Sequence, residues 1–193
     1  MDEIEQLSYF KLGWEHIISI DALDHQLFIL ALAAVYTLKD WKQVLILVTA
    51  FTIGHSVTLA LSASEIITVD SELVEFLIPC TIVITALTNF FYKNDNPTTV
   101  RLNYFLALFF GLIHGLGFAN TIRFMLPKDE NIVWPLLQFN LGLEAGQVVL
   151  VIVILLLAYL FIHVFRVNRR WWIWAISAVA FLVALKIAIE RFP

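Results

Sequence analysis

The sequence predicts an all-α integral membrane protein, folded as a bundle of about six transmembrane helices. Its residues are 61% hydrophobic, well above the usual share in globular domains, and its mean hydropathy is +0.86. A helix needs about 20 mostly apolar residues to cross a bilayer. Six apolar runs reach or approach that length: 22–38, 41–62, 73–92, 101–126, 134–165 and 172–190. Residues 1–193 are therefore expected to form one polytopic membrane domain.

The six runs differ in length and in the residues beside them. The first is the shortest, and residues 8–21 before it mix aromatic and charged side chains, which predicts an amphipathic or re-entrant segment. The fourth carries glycines on both sides of His114. The fifth is the longest and is expected to continue past the membrane as a helix. Cys80 is the single cysteine, so no intrachain disulfide is expected.

Charged residues between the runs alternate from one side of the membrane to the other. The connections after runs one, three and five hold seven of the twelve basic residues: Lys39, Lys42, Lys93, Arg101, Arg166, Arg169 and Arg170. Lysine and arginine collect in cytoplasmic loops. We therefore expect a multi-pass protein of the inner (cytoplasmic) membrane with both termini outside the cytoplasm. The acidic N-terminus also lacks the basic start of a cleavable signal peptide.

Several polar side chains lie inside the apolar runs at similar predicted depths. At 1.5 Å per residue, His55 and His114 lie about 20 Å from the cytoplasmic starts of their runs. Asn140 and Glu144 lie about 9 and 15 Å below the outer end of run five, while Asp24 and His25 open run one. Ionisable groups in hydrocarbon are costly and usually mark functional sites. A polar cluster is thus expected in the outer half of the bundle.

Helical phase groups these residues further. At about 100° per residue, Asn140, Glu144 and Gln147 fall within an arc of about 60° on run five. Gly142 and Gly146 lie on the opposite side and form a small-residue surface suited to close helix packing. On run two, Thr52 and Ser56 share a face with His55. Taken singly, an intramembrane His, Asn or Gln is often only a hydrogen-bonding partner between helices.

The residue types in this cluster suit a divalent transition-metal ion. Imidazole is a ligand for Zn, Cu, Fe and Ni, whereas Mg and Ca prefer oxygen-only shells. The predicted ligands are His25, His55, His114, Asp24 and Glu144. Side chains that orient them through hydrogen bonds are predicted to be Asn140, Gln147, Thr52, Ser56 and His16. Ligand type alone does not distinguish nickel, cobalt and zinc.

At these positions the chain resembles the HupE/UreJ family of membrane proteins. The resemblance lies in Gly13-Trp-Glu-His16, Asp24-His25-Gln-Leu-Phe28, Phe51-Thr-Ile-Gly-His55-Ser56-Val-Thr58, Gly111-Leu-Ile-His114-Gly115-Leu-Gly117-Phe118-Ala119 and Phe139-Asn140-Leu-Gly-Leu-Glu144-Ala-Gly146-Gln147. The resemblance implies a six- or seven-helix permease or accessory protein linked to nickel, sometimes cobalt, supply for hydrogenase and urease. Family members usually have glycine where this chain has Ala22.

Three functions are compatible with these residues. A permease requires a cation path to the cytoplasm, yet the inner halves of the runs carry little polarity. An intramembrane metal hydrolase would use a metal-activated water, with Glu144 or Asp24 as general base. A metal-binding scaffold requires only the site. The permease or accessory role is favoured over an enzyme, and the expected partners are a metal ion and the lipid bilayer, not nucleic acid.

Overall fold

The computed structural model describes residues 3–92, 97–125 and 132–193, which are helical without a strand among them. The helices are α1 (Glu3–Ile18), α2 (Leu23–Ala33), α3 (Trp41–Ala63), α4 (Ser71–Phe90), α5 (Pro97–Met125), α6 (Val133–Tyr159) and α7 (Arg169–Glu190). Short 3-10 turns at Ile20–Ala22 and Leu38–Asp40 precede α2 and α3, and a π-helical turn at Leu160–Val164 extends α6.

Four helical segments in the described parts of the chain are long and apolar enough to cross a membrane. They are Leu38–Ala63, Ser71–Phe90, Val133–Val164 and Arg169–Glu190. Segments Ser8–Ile18 and Leu23–Ala33 pass the same test only as a pair, bent by 66°. The described apolar part of α5, Asn103–Phe118, is shorter. The protein is therefore an all-helical chain with the composition of a membrane protein.

The first predicted run, 22–38, does not form one continuous helix. Helix α2 ends at Ala33, and Leu38 already belongs to the turn that leads into α3. Asp40 Oδ2 accepts hydrogen bonds from the backbone N–H and the hydroxyl of Thr37, at 2.9 and 2.8 Å. This capping box marks the start of a new helical segment. The apolar run 22–38 therefore extends across a boundary between two helices. Residue 126, the last of the predicted fourth run, lies outside the described residues.

The segment predicted at 8–21 is also interrupted. Helix α1 ends at Ile18, and the Gln26 side-chain amide donates to the carbonyls of Ile17 and Ser19 at 3.0 and 2.7 Å. Carbonyls at a helix C-terminus lack partners within the helix. Gln26 satisfies two carbonyls at this break, which stabilises the sharp bend between α1 and α2.

Glycines hold two pairs of helices in backbone contact. A Cβ at Gly54 on α3 would overlap the carbonyl oxygen of Leu108 on α5, and one at Gly111 would overlap that of Phe51. A Cβ at Gly13 on α1 would overlap the carbonyl oxygen of Phe139 on α6. Such small residues allow close approach of helices where apolar burial gives little driving force. At these glycines the backbones of α3 and α5, and those of α1 and α6, are in direct contact.

The order of these contacts shows that both pairs run parallel. Along α1, Phe10 lies at Gly142 and Ile17 lies at Gly146, so residue numbers rise together on the two helices. Along α3, Phe51 lies at Gly111 and His55 lies at Gly115 in the same way.

The two ends of the bundle differ in charge. At one, the basic end, Arg169 donates to the Val35 carbonyl at 2.7 Å and its guanidinium carbon lies 6.0 Å from the Tyr92 ring centroid. Lys39 and Arg170 neighbour these residues in sequence. At the other, the acidic end, Phe76 packs on Phe192 with centroids 5.4 Å apart, beside Glu72 and Glu75 in sequence.

Candidate metal centre

Three histidines from three helices converge in the bundle. His16 comes from the last turn of α1, His25 from the first turn of α2 and His55 from the middle of α3. Each offers a ring nitrogen, and these three atoms all lie within 4.8 Å of one another. His55 and His25 are buried, with 0% and 7% exposure, and His16 is half-buried. One cation placed between them is within reach of all three after small side-chain adjustments.

His114 on α5 is the fourth histidine of this region. Its ring centroid lies 4.9 Å from that of His25, and its side chain is 1% exposed. Its Nε2 atom lies 3.1 Å from Thr81 Oγ1 on α4. His114 stands beside the group of three without belonging to it. We refer to His16, His25, His55 and His114 together as the histidine centre.

The bend between α1 and α2 explains the position of His16. The sequence predicted His16 as an orienting residue and not as a ligand. The bend instead brings the two rings to a centroid distance of 4.7 Å in an edge-to-face arrangement. The structure therefore places His16 among the candidate ligands.

Phenylalanines surround the histidine centre. Phe118 lies 4.1 Å from the His16 ring centroid, Phe51 lies 5.1 Å from that of His114, and Phe139 lies 6.3 Å from that of His55. This apolar wall shields the rings on the sides away from the acidic end, and burying a charged group without a partner is costly. Neutral imidazole is the form that binds metal ions.

Several ring nitrogens of the histidine centre lack partners. Among the residues the structure describes, the buried nitrogens without a hydrogen bond are His16 Nε2, His25 Nε2, His55 Nδ1, His55 Nε2 and His114 Nδ1. Buried polar atoms are rarely unsatisfied, and each exception calls for an explanation such as an ion. Convergent nitrogen donors of this kind fit a divalent transition metal better than Mg or Ca.

A cavity of about 310 Å³ connects the histidine centre to the acidic end. Its lining includes His16, His25, His114, Asp24, Glu75 and Arg191. Glu75 lies near the start of α4 and Arg191 just beyond the end of α7, so the opening is at the acidic end of the bundle. This geometry gives a hydrated ion access from one end.

The predicted ligand Asp24 lies in this cavity and is paired. Its Oδ2 atom accepts a hydrogen bond from Arg191 Nη1 at 2.9 Å, whereas Oδ1 is buried without a partner. Asp24 is not one of the three groups whose ligand atoms lie within 4.8 Å. Arg191 lies 167 positions away from Asp24 in the chain and was not predicted from the sequence as its partner.

The predicted ligand Glu144 faces the boundary between α6 and α3. Its Oε1 atom accepts a hydrogen bond of 2.6 Å from Thr49 Oγ1, and Thr49 is exposed on the side of the bundle. Gln147 is buried and accepts from Thr52 Oγ1 at 2.9 Å. These residues share a sector of about 60° on α6, yet that rotation separates a buried contact from one at the bundle surface.

The remaining predicted orienting residues mostly bond within their own helices. Asn140 Nδ2 donates to the Leu136 carbonyl at 2.7 Å, and Ser56 Oγ donates to the Thr52 carbonyl at 2.7 Å. Asn140 neighbours His55, and its Oδ1 atom is buried without a partner. Among the hydrogen bonds in the described parts of the chain, none joins Thr52, Ser56 or Gln147 to an imidazole.

A second polar region, missed in the sequence analysis, lies between the histidine centre and the basic end. It consists of Thr85, Thr88, Asn89 and Asn103, which we call the Thr–Asn line, and it encloses a cavity of about 20 Å³. Asn89 donates to the Ala31 carbonyl at 2.8 Å, and Asn103 donates to the Tyr36 hydroxyl at 3.2 Å. The threonine spacing on run three was the available sequence signal.

Comparison with known proteins identifies the family of the chain. No curated protein and no solved structure gives a significant match to it. The family model described as HupE / UreJ protein matches residues 2–191, nearly the whole sequence. The order of the helices and the histidine centre described above lie within this match. The chain therefore belongs to the HupE/UreJ family.

Proposed function

We propose that this protein binds a divalent transition-metal ion at the histidine centre and passes it across the inner membrane. The observation that carries the proposal is the convergence of buried, unpartnered imidazole nitrogens at the base of a cavity open to one end. Membership of the HupE/UreJ family suggests a nickel- or cobalt-related transport or accessory role. The cargo is therefore nickel or cobalt, with zinc as a chemically similar alternative.

In this proposal the bundle crosses the membrane six times. The bent pair α1–α2 is the first crossing, and α3 to α7 are the next five. Alternate crossings must run in the same direction. The parallel contacts of α1 with α6 and of α3 with α5 agree with this order, since they pair crossings one with five and two with four.

The basic end faces the cytoplasm, because basic residues collect on that side. The acidic end and both termini then face outward. The cavity lined by Asp24, Glu75 and Arg191 opens to the outside and leads to the histidine centre. The outward carboxylates raise the local concentration of cations at its entrance.

His16, His25 and His55 form the primary ligand set in this proposal, with His114 as a further nitrogen donor. Replacing ion-bound water by imidazoles offsets the loss of hydration as the cation enters apolar surroundings. Asp24 lines the same cavity, and its Oδ1 atom is not used by the ion pair that Oδ2 makes with Arg191. Glu144, which contacts Thr49 instead, supports the α3–α6 contact rather than the metal.

The Thr–Asn line supports transport over mere storage of the ion. The inner halves of the helices are not wholly apolar, because Thr85, Asn89 and Asn103 extend from the level of Thr81 towards Tyr36 at the basic end. Their cavity of about 20 Å³ is large enough for one water molecule. In the described conformation this region is narrow, which corresponds to a closed inner gate.

One observation favours a second candidate, an intramembrane metal hydrolase. Asp24 Oδ1 is buried without a partner in the cavity beside His25, where a general base for metal-activated water would stand. Such an enzyme would need no path through the Thr–Asn line. Vesicle transport therefore distinguishes the two functions.

The test uses purified protein in vesicles that contain a nickel-sensitive dye. Wild-type vesicles are expected to show saturable entry of nickel, and His55→Gln is expected to abolish it. The matched control is His163→Gln, because His163 is exposed and stacks on Tyr159 away from the centre, with centroids 4.9 Å apart. If wild-type vesicles admit no nickel, cobalt or zinc above empty liposomes, even with an imposed proton gradient, the transport proposal is rejected.

Orientation is tested separately by cysteine labelling in a Cys80→Ala background. Thr68→Cys lies in the α3–α4 connection, and Val167→Cys lies between α6 and α7. An impermeant thiol reagent added outside intact cells is expected to label only the first. Labelling of Val167→Cys alone would show that the protein has the opposite orientation in the membrane.

A further inference from the structure

A single threonine contacts the His114 ring. Thr81 Oγ1 lies 3.1 Å from His114 Nε2, and the same hydroxyl donates to the Ile78 carbonyl at 2.7 Å. Both side chains are buried, with 3% and 1% exposure. In helices, a threonine hydroxyl commonly donates a hydrogen bond to the carbonyl three or four residues earlier. This bond is therefore built into α4 whether or not the imidazole is present.

The Thr81 hydroxyl has one hydrogen, and the shorter bond to Ile78 uses it. The contact with His114 must then run in the other direction, with Nε2–H as donor and Oγ1 as acceptor. A neutral imidazole carries one N–H, so the lone pair lies on Nδ1. The structure agrees, because Nδ1 is buried without a partner. The opposite tautomer would leave a buried N–H without an acceptor, which is rare in proteins.

We infer that Thr81 is a positioning residue that holds His114 as the Nε2–H tautomer and keeps its Nδ1 lone pair free for a divalent transition-metal ion. The inference rests on the proposed function for the identity of that ligand. A hydrogen bond to the second nitrogen of a ligating histidine fixes the tautomer and ring orientation. Here a neutral hydroxyl oxygen performs this role.

The His114 ring is held close to another histidine of the centre. Its centroid lies 4.9 Å from that of His25 and 5.4 Å from that of Phe28. Thr81 lies on a different helix, so it holds the ring at Nε2 from α4. The other ring nitrogen is the one left without a protein partner. His114 therefore contributes through Nδ1 rather than Nε2.

Helix α4 offers a matched control. Thr85 lies one turn after Thr81, is buried, and donates to the Thr81 carbonyl at 2.8 Å. This hydrogen bond is to the backbone and not to an imidazole. Thr85→Val therefore removes an equivalent hydroxyl from the same helix without touching His114, and Thr81→Ser retains the hydroxyl where Thr81→Val removes it.

The first test is nitrogen-15 NMR of histidine-labelled, metal-free protein in membranes. The His114 signals are assigned by their loss in His114→Gln. In the wild type and in Thr81→Ser, His114 is expected to show a protonated Nε2 and an unprotonated Nδ1. In Thr81→Val it is expected to show a mixture or the opposite tautomer. An Nδ1–H form in the wild type, or an unchanged tautomer in Thr81→Val, would overturn the inference.

The second test is metal affinity measured by competition with a chelator. Thr81→Val is expected to bind nickel about 10–100-fold more weakly, the usual effect of losing such a neighbour, while Thr81→Ser and Thr85→Val retain wild-type affinity. Equal affinities for Thr81→Val and Thr85→Val would contradict the positioning role. The NMR experiment requires neither metal nor transport. Failure of the vesicle assay would therefore reject the proposed function without deciding the His114 tautomer, which the NMR experiment tests independently.

Discussion

The histidine centre and the Thr–Asn line are both polar regions inside an apolar bundle, yet they differ in how their hydrogen bonds are satisfied. In the histidine centre, five buried ring nitrogens lack partners within the described residues. In the Thr–Asn line, Thr85 and Thr88 donate to carbonyls of their own helix, and Asn89 donates to both Ala31 and Ser177. The histidine centre therefore has ring nitrogens that are free to bind a ligand. In the Thr–Asn line, these side-chain donors already make hydrogen bonds within the protein.

This difference is expected between a metal-binding site and a closed inner gate whose hydrogen bonds hold helices together. Unsatisfied buried groups cost free energy that folding does not recover, so they persist where a ligand uses them. Satisfied amides and hydroxyls hold helices together, typically by about 0.6 kcal/mol and at most about 2 kcal/mol per contact in membranes. Substitutions in the two regions should therefore change different properties.

The largest expected effect is the loss of metal binding in His55→Ala. His55 is fully buried with both ring nitrogens unpartnered, and its loss removes one of three convergent candidate ligands. The fall in nickel affinity should exceed the roughly 10–100-fold cost of removing a group that only orients a ligand. His55→Gln is measured in parallel because it fills more of the space. Equilibrium dialysis of purified protein gives the affinity.

Asn89→Leu is the counterpart in the Thr–Asn line. It keeps the number and branching of the side-chain heavy atoms but loses the hydrogen bonds to Ala31 and Ser177, which join α4 to α2 and α7. Thermal unfolding in detergent should show a loss of about 1–2 kcal/mol, with nickel affinity unchanged. If Asn89→Leu lowers affinity as strongly as His55→Ala does, the distinction between the two regions is wrong.

An intermediate effect is expected for Gly54→Ala. Its new Cβ would overlap the Leu108 carbonyl oxygen, a backbone atom that cannot turn aside, so α3 and α5 must separate. Overpacking of this kind costs about 1–3 kcal/mol. His55 follows Gly54 directly, so nickel affinity should also decrease.

Gly117→Ala is the control for the glycine prediction. The nearest atom to its Cβ is the terminal Cδ1 of Ile78, 2.7 Å away, and a flexible side chain can move. Its melting temperature should stay close to that of the wild type. Equal destabilisation of both variants would argue against backbone contact between α3 and α5 as the feature that positions His55.

The smallest expected effect is that of Glu144→Gln. Glutamine retains the shape and an oxygen able to accept the 2.6 Å hydrogen bond from Thr49. Nickel affinity should stay within a few-fold of wild type, because the carboxylate contacts α3 at the bundle surface. A large loss of affinity in this variant would instead make Glu144 a ligand.

The sequence predicted the helical class and the long apolar runs because hydropathy and helix rise depend only on local composition. The same arithmetic placed His55 and His114 at a similar depth, and their rings both approach that of His25. The bend at Ser19–Ala22 was not predictable from periodicity, since it depends on Gln26 reaching back to α1. The approach of the His16 ring to that of His25 depends on this bend.

The assignments that differ most concern residues near the edge of a helical face. A sector of about 60° cannot tell which member of Asn140, Glu144 and Gln147 turns outward until the neighbouring helix is placed. The Thr–Asn line was missed because threonine is nearly neutral on hydropathy scales and reads as part of an apolar run. Arg191 lies beyond the last run, and its pairing with Asp24 depends on how α7 packs.

X-ray absorption at the metal edge of zinc-loaded protein tests the central claim most directly. The account predicts nitrogen scatterers at about 2.0–2.1 Å, with the outer-shell signature of at least three imidazoles, reduced in His55→Gln and unchanged in Glu144→Gln. A first shell made of oxygen alone, with no imidazole signature, would contradict the histidine centre as the metal site.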